Sequence, residues 1–380
     1  MRSLFMLGDI DYRVNNLSFL LPVGISFYTF QTLSYTIDIY YNRMKPEKHF
    51  GRFALYVSFF PQLVAGPIER AKRLLPQFKI DHSFDYERVR NGIVLIMWGL
   101  FKKAVIADRV SEYINIVFAS PEDHFGLQIW ISMMLFYIQL YCDFSGYTDI
   151  AIGTAGIMGY KLMLNFKQPM IAQNFREFWS RWHISLTTWF RDYLYLELRT
   201  KDQKAFRNYI SILIVFLATG FWHGANWTFL LFGLYHACAL IGNEIMKPTI
   251  RNVKEAIGLL KYPKLNKGLN ISYTFILLCL SVSLFRSNSI HDSIVLFGNL
   301  FDFSKGLDNI NLFRHPIDFG LSIGFLILIF VIDFVTDKVN IGEYLSKQSY
   351  FVKWSLLIII LLSIFTLGKF GEEDFIYFQF

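Results

Sequence analysis

The sequence predicts an all-α protein that crosses a lipid bilayer many times, and three features support this fold class. Hydrophobic residues make up 54% of the 380 residues and charged residues only 18%, whereas soluble domains carry roughly 25% charged residues. The apolar residues form long runs that approach the ~20 residues a spanning helix needs. Basic residues are concentrated in the short connectors between those runs, which is typical of membrane proteins.

Nine apolar segments are predicted to enter the membrane, so we expect a polytopic protein with about eight to ten membrane segments. They comprise residues 17–41, 53–67, 92–107, 127–147, 210–222, 227–241, 271–285, 319–334 and 354–367. The second segment is short and contains Pro61 and Gly66. It is predicted to be a re-entrant or broken element covered by other helices, because irregular backbone is not exposed to lipid.

The charges of the connectors predict the side of the membrane on which each lies. Residues 247–267 carry six basic residues and one acidic residue, so we place them in the cytoplasm. Residues 286–316 carry three of each sign and fit the opposite side. Alternation of the last helices then places residues 337–353 in the cytoplasm and the tail, residues 371–380, outside.

Several other classes of protein are not expected. Cys142, Cys238 and Cys279 lie in apolar runs without CxxC spacing and are predicted to be core residues. The net charge of +7 is explained by the basic connectors, so nucleic-acid binding is not expected. No cleavable signal peptide is visible in residues 1–16, and the first apolar segment is expected to direct insertion. Residues 1–380 are treated as one membrane domain.

The first candidate site residue, His183, lies in a stretch rich in tryptophan and charge, residues 178–195. At helical spacing, Ser180, His183 and Thr187 share one face, which predicts an interfacial or partly buried helix. An aromatic belt helix whose histidine only forms hydrogen bonds explains the same pattern. Both interpretations remain open on spacing alone.

The second candidate, His223, lies in a polar cluster between two apolar runs, residues 220–227. A histidine at membrane depth usually marks a functional pathway, and in a low-dielectric site it should be neutral, as a general base must be. Gly220 and Gly224 would allow close approach of backbone or substrate, and Asn226 offers an amide. A metal site is not expected, because no HExxH or cysteine-rich partner is present and His236 is predicted to lie off the His223 face.

Five ordered blocks of sequence resemble the membrane-bound O-acyltransferase (MBOAT) family, specifically the bacterial branch that contains the membrane subunit of alginate O-acetyltransferase. They are LPVGISFYTFQ at 21–31, FPQLVAGPI at 60–68, DFSGYTDIA at 143–151, FWSRWH at 178–183 followed by RDY at 191–193, and FWHGAN at 221–226. Members of this branch usually carry several apolar helices before the first block. We therefore expect the chain to lack the family's N-terminal helices.

The resemblance implies a tunnel in which a cytoplasmic acyl thioester, such as acetyl-CoA, meets an acceptor from the other side, with no bound cofactor. It implies that His223 is the catalytic histidine and His183 its supporting histidine. We expect Trp182, Asn226 and Arg181 to bind substrate. The ending FIYFQF at 375–380 resembles a motif thought to supply an acyl-accepting tyrosine, here Tyr377, although an interfacial aromatic anchor explains it too.

The predicted function is O-acetylation of an exported, alginate-like polysaccharide by an enzyme of the bacterial inner membrane. A periplasmic or extracellular esterase-like partner of the SGNH type is expected to assist. D-alanyl transfer to teichoic acid, from a carrier protein, is an alternative within the family. A transporter or lipid flippase would also place charges such as Lys102, Lys103, Asp108 and Asp143 among apolar segments, but transport does not require the cluster around His223.

Overall fold

The structure of the protein, a computed structural model, describes residues 24–199, 205–304, 310–337, 348–371 and 375–376. The described residues form helices and no strands, which confirms the predicted all-α class. In chain order the helices are α1 Ile25–Tyr40, α2 Phe50–Ser58, α3 Ala71–Leu74, α4 Tyr86–Leu100, α5 Asp108–Ala119, α6 Leu127–Ile157, α7 Phe175–Arg181, α8 Ile184–Phe190, α9 Leu196–Leu198, α10 Ala205–His223, α11 Trp227–Ala256, α12 Pro263–Arg286, α13 Ile290–Asn299, α14 Pro316–Thr336 and α15 Tyr350–Leu367.

Two π-helical turns join neighbouring helices into longer ones. Phe101–Ala107 connects α4 to α5, and Arg191–Tyr195 connects α8 to α9. Short 3₁₀ turns cover Leu75–Lys79, Pro121–Asp123, Pro169–Ile171 and Leu259–Lys261. A π-helical turn widens the helix by one residue, so Phe101–Ala107 changes the faces that the residues on either side present.

Six of the described helices, α6, α10, α11, α12, α14 and α15, are long and apolar enough to cross a membrane. This confirms a polytopic membrane protein. The predicted segments at 17–41 and 92–107 also overlap helices, and the segment at 53–67 is helical only to Ser58, but none of the three is among these six. Residues 17–23 lie outside the described ranges. The helices extend beyond the predicted apolar runs. For example, α11 continues to Ala256 into the basic connector, because polar residues prolong a helix without adding to its hydropathy.

Contacts between connectors define two ends of the bundle. At one end, which we call the basic face, Lys267 lies 3.8 Å from Asp337 and joins residues 247–267 to the end of α14. At the other, which we call the loop face, Asn226 donates a hydrogen bond of 3.3 Å to the carbonyl of Asn288 and joins the α10–α11 turn to residues 286–289. Because α12 runs from one to the other, the alternation of connectors agrees with the prediction.

Helix α6 is the centre of the bundle. In its most apolar window 78% of residues are buried, compared with 6% for α15, which lies at the periphery. Glycines let α4 pack directly on its backbone: a Cβ at Gly92 would lie 2.7 Å from the carbonyl oxygen of Gly153, and one at Gly146 would lie 2.8 Å from that of Gly99. No larger residue fits at these positions without separating the two helices.

Residues 59–70 form irregular backbone that is largely buried. Helix α2 ends after nine residues at Ser58, and Gln62, Pro67 and Ile68 beyond it are buried. This arrangement agrees with the broken element predicted for residues 53–67.

Glu69 fastens this irregular segment to the loop after α6. Its carboxylate accepts a hydrogen bond from the backbone N–H of Met163, and its carbonyl accepts one from the Tyr56 hydroxyl at 3.0 Å. The side chain is fully buried. Burial raises the pKa of Glu69 to about 7, although the Met163 N–H, Arg73 and Arg70 act in the opposite direction.

Replacing Glu69 with glutamine should make the stability of the protein less sensitive to pH. The unfolded carboxyl titrates near its ordinary value of 4.5, so between about pH 5 and pH 8 the folded protein binds more protons and its free energy of unfolding falls as pH rises. In thermal unfolding in detergent, the melting temperature of Glu69→Gln should therefore fall less over this pH range than that of the wild type. Glu87→Gln, on the exposed surface of α4, is the matched control. Identical profiles for all three proteins would contradict the prediction.

Candidate active site

His183 lies at a break between two short helices. Helix α7 ends at Arg181 and α8 begins at Ile184. His183 itself has a left-handed backbone, with φ 41° and ψ 51°, which is uncommon for residues other than glycine. The prediction that Ser180, His183 and Thr187 share one helical face is therefore wrong. The break turns His183 into the bundle, where it is 1% exposed.

Asn165 holds His183 in place. Its side-chain oxygen accepts hydrogen bonds from His183 Nδ1 at 3.1 Å, Ser185 Oγ at 2.8 Å and Ser185 N at 3.2 Å. Because the Ser185 N–H can only donate, the acceptor is the amide oxygen and His183 Nδ1 carries the proton. In the neutral imidazole, Nε2 then presents a lone pair. It can accept a proton or a hydrogen bond but cannot donate one.

The α10–α11 hairpin places His223, the last residue of α10. Two glycines allow the helices to pack closely: a Cβ at Gly220 would lie 3.1 Å from the carbonyl carbon of Phe229, and one at Gly233 would lie 3.0 Å from that of Phe216. This confirms the predicted role of Gly220 in close backbone approach. The close packing of the two helices therefore fixes the position of His223 along the axis of α11.

Aromatic rings enclose the half-buried imidazole of His223 and connect it to His183. The ring of Phe285 lies edge-on at 5.0 Å between centroids. The indole of Trp222 lies 4.9 Å from the His223 ring and 6.0 Å from the His183 ring. Phe27 of α1 lies 6.3 Å from the His183 ring and covers that side of the site. The structure thus brings both predicted histidines into one largely apolar site.

His236 is a third histidine beside this site, and it is 1% exposed. No pattern in the sequence predicts a role for it. Its Nδ1 accepts a hydrogen bond of 3.2 Å from Trp179 Nε1, and its ring lies 4.4 Å from that of Phe232. Helical spacing predicts that His236 lies off the His223 face. Residues 224–226 are not helical, however, so that spacing cannot be applied from His223 to His236. The i, i+4 spacing of Phe232 and His236 on α11 is the signal that could have found it.

In the part of the chain that the structure describes, no three His, Cys, Asp or Glu side chains could hold a metal ion.

A cavity of about 140 Å³ lies beside Asn165 and is lined by charged side chains. Lys102 Nζ donates to Asp149 Oδ2 at 2.6 Å and to Ser145 Oγ at 2.7 Å. The lining continues along α14 to Thr336. Thr336 is the last residue of α14 and is followed by Asp337, which lies at the basic face. The cavity therefore extends from the amide that holds His183 toward the basic face.

Two residues expected to bind substrate lie at opposite ends of the bundle. At the basic face, Arg181 Nη1 lies 2.9 Å from Asp337 Oδ1 and its Nη2 lies 2.8 Å from Glu177 Oε1. At the loop face, Asn226 caps α11 by accepting a hydrogen bond of 3.2 Å from Thr228 N. The structure does not bring these two side chains together, and their substrate roles stay predictions.

The remaining predicted site residues are Trp182 and Tyr377. Trp182 is 6% exposed, and its ring lies 5.4 Å from that of Phe178 and 5.0 Å from that of Phe166. These contacts place it in the aromatic core next to His183. Tyr377 lies outside the described residues. Substrate contact by either residue stays a prediction.

These features define a polytopic membrane protein with an internal, histidine-centred site between its two faces. The chain belongs to the MBOAT, membrane-bound O-acyltransferase, family, whose model matches residues 48–256, a region that contains both predicted histidines. The family predicted from the sequence blocks is therefore confirmed.

Three relatives give the scale of the similarity. Over 95% of this chain and 75% of the relative, the protein is 33% identical to the probable alginate O-acetylase AlgI of Pseudomonas putida. It is 35% identical to the protein of that name from Pseudomonas aeruginosa, over 82% of this chain and 57% of the relative. It is 38% identical to the peptidoglycan O-acetyltransferase of Helicobacter pylori, over 59% of this chain and 47% of the relative. The chain thus spans from about half to three quarters of the length of these relatives.

Replacing Asn165 with alanine should destabilise the protein and disorder His183. The substitution leaves the buried donors of His183 and Ser185 without their shared acceptor, and each buried donor left unpaired costs about 1–3 kcal/mol. Thermal unfolding in detergent should show a clearly lower melting temperature for Asn165→Ala. The exposed Asn91→Ala, on α4, should melt like wild type. Equal melting temperatures for the two variants would show that the Asn165 amide does not hold the site.

Proposed function

We propose that the protein is a membrane-embedded O-acyltransferase that carries an acetyl group from a cytoplasmic thioester, such as acetyl-CoA, toward the hydroxyl groups of an exported, alginate-like polysaccharide. The observation that carries this proposal is the position of the two histidines. His183 is held beside a cavity that extends to the basic face, and His223 lies at the α10–α11 turn near the loop face. Reactants approaching from opposite sides of the membrane would meet between them.

The donor fits the basic face. Connector 247–267 supplies an excess of positive charge there, which would attract an anionic thioester. A cavity of about 140 Å³ is smaller than the 300–1,000 Å³ typical of sites for drug-sized ligands. It therefore suits the acyl end of the donor, while the bulky remainder stays at the face.

The histidines supply the proton chemistry. His223 acts as general base and takes the proton of the attacking hydroxyl, whose oxygen attacks the thioester carbonyl carbon. The carbon–sulfur bond breaks, and the thiolate takes the proton back from protonated His223 to leave as a thiol, which restores the neutral base. His183 positions the reactants. With its own proton on Nδ1, it can stabilise developing negative charge only after Nε2 has been protonated.

A relay through Tyr377 would carry the acetyl group to the outside. In this proposal the tyrosine hydroxyl is the first acceptor, and a periplasmic or extracellular SGNH, esterase-like partner moves the acetyl group from it to the polymer. The two residues before it support this arrangement, because Phe375 and Ile376 lie against α6 and Ile376 is 2% exposed. The protein would act in the inner membrane of a bacterium.

Replacing His223 with alanine should abolish acetylation without removing the protein from the membrane. The test measures O-acetyl content of the exported polysaccharide in strains with the wild-type gene, His223→Ala, or no gene, together with the membrane abundance of each protein. His291→Ala, an exposed histidine on α13, is the matched control and should acetylate normally. We expect His223→Ala to match the deletion strain.

Two outcomes would point elsewhere. Polysaccharide acetylation that is the same in all four strains would overturn the proposal. Loss of D-alanine from teichoic acid in the His223→Ala strain, with unchanged polysaccharide, would instead favour D-alanyl transfer.

Replacing Tyr377 with phenylalanine removes a single oxygen and tests the relay. We expect polymer acetylation to fall to the level of the deletion strain at normal membrane abundance, because the first acceptor is lost. Tyr350→Phe, an exposed tyrosine at the start of α15, is the control and should have no effect. Full polymer acetylation in Tyr377→Phe would overturn the proposed relay but not the proposed role of His223.

A further inference from the structure

After α15 the chain turns back into the bundle instead of leaving it. The backbone N–H of Lys369 donates a hydrogen bond of 2.9 Å to the carbonyl of Ala104, in the π-helical turn between α4 and α5. Farther along, Ile376 is 2% exposed and the ring of Phe375 lies 5.3 Å from that of Tyr147 on α6. Phe375 and Ile376 therefore pack against the central helix.

Asp143 of α6 holds this returning segment by its backbone. Asp143 Oδ2 accepts a hydrogen bond of 2.7 Å from the N–H of Ile376. Asp143 Oδ1 lies 2.9 Å from Lys103 Nζ, which also lies 2.7 Å from Asp108 Oδ1. A carboxylate that is 2% exposed in a membrane protein is costly unless it is paired. Lys103 supplies the opposite charge, and one carboxylate oxygen remains directed at the tail.

The held segment lies close to His183. The ring of Phe375 is 6.1 Å from that of Phe144, and Phe144 lies edge-on to His183 at 4.6 Å. A single aromatic ring therefore separates the tail from His183. Tyr377 follows Ile376 directly in the sequence.

The geometry points to Asp143 as a positioning residue: it binds the chain segment that returns after α15 through the backbone N–H of Ile376 and so serves transfer through the proposed acceptor Tyr377, the next residue in the sequence. The role of Tyr377 rests on the proposed function, whereas the binding of the tail does not. Because the recognised group is a backbone N–H, the side chain at position 376 should matter little for this contact. Loss of the N–H or of the carboxylate should break it.

A proline substitution tests the contact from the side of the tail. Ile376→Pro removes the N–H and leaves the pairing of Asp143 with Lys103 intact, while Ile376→Val keeps the N–H and serves as the matched control. At equal membrane abundance we expect about tenfold less polymer acetylation in Ile376→Pro, as for loss of a hydrogen bond to a charged group, and wild-type acetylation in Ile376→Val. Equal acetylation by Ile376→Pro and Ile376→Val would overturn the positioning role.

Cysteine labelling tests the binding itself without an activity measurement. The parent protein carries Ile376→Cys, with Cys142, Cys238 and Cys279 replaced by alanine. A water-soluble maleimide should react with the introduced cysteine slowly in the parent and at least about tenfold faster when Asp143→Ala is added, because the tail is released. Equal labelling rates would overturn the anchor. If Asp143→Ala does not accumulate in the membrane, the comparison of Ile376→Pro with Ile376→Val decides.

The two proposals fail in different ways. His223→Ala should abolish acetylation while the introduced cysteine stays protected, which separates the chemistry from the binding of the tail. Faster labelling in Asp143→Ala, together with unchanged acetylation in Ile376→Pro, would show a bound tail with no part in transfer. Unchanged acetylation in His223→Ala would overturn the proposed function, and the labelling rates would still report on the anchor.

Discussion

The polar side chains of α6 must find partners inside the bundle, and the rest of the structure depends on this constraint. Lipid offers no hydrogen bonds, so each buried charge on α6 requires a protein group of opposite charge. Lys102 meets Asp149, and Lys103 meets Asp143. Consecutive residues of a regular helix point about 100° apart, and the π-helical turn at Phe101–Ala107 brings both lysines to α6. The close packing of Gly99 on Gly146 supplies the proximity.

The need of buried polar groups for protein partners also shapes the candidate site next to α6. Thr148, one turn after Ser145, accepts a hydrogen bond of 3.5 Å from Asn165 Nδ2. The oxygen of that amide holds His183 and the beginning of α8. The unusual backbone of His183 is thereby supported by buried polar contacts, since strained conformations persist only where the surroundings determine them. The cavity, the amide and the histidine form one connected polar unit within the apolar bundle.

The sequence predicted those features that depend on composition and local pattern. Apolar runs located the helices, and the MBOAT-like blocks located His183 and His223. The contacts that build the site join residues far apart in the chain, as Asp143 and Ile376 do, and no spacing rule reports such pairs. The break at His183 escaped prediction because its flanking residues fit a helical pattern, while the tertiary contacts of Asn165 favour a turn. His236 escaped because a helical face was extended across a turn.

The two histidines occupy opposite ends of helices, and this difference bears on the role proposed for each. His223 is the last residue of α10, where the negative end of the helix dipole stabilises a positive charge. His183 precedes the first residue of α8, where the positive end of the dipole disfavours one. A general base becomes cationic as it takes a proton from the attacking hydroxyl, so the helix terminus at His223 would stabilise the state that the proposed reaction creates. At His183 the helix terminus disfavours the cation, and the Asn165 acceptor fixes the proton of the neutral imidazole on Nδ1. This asymmetry supports His223 as the base and His183 as the group that positions the reactants.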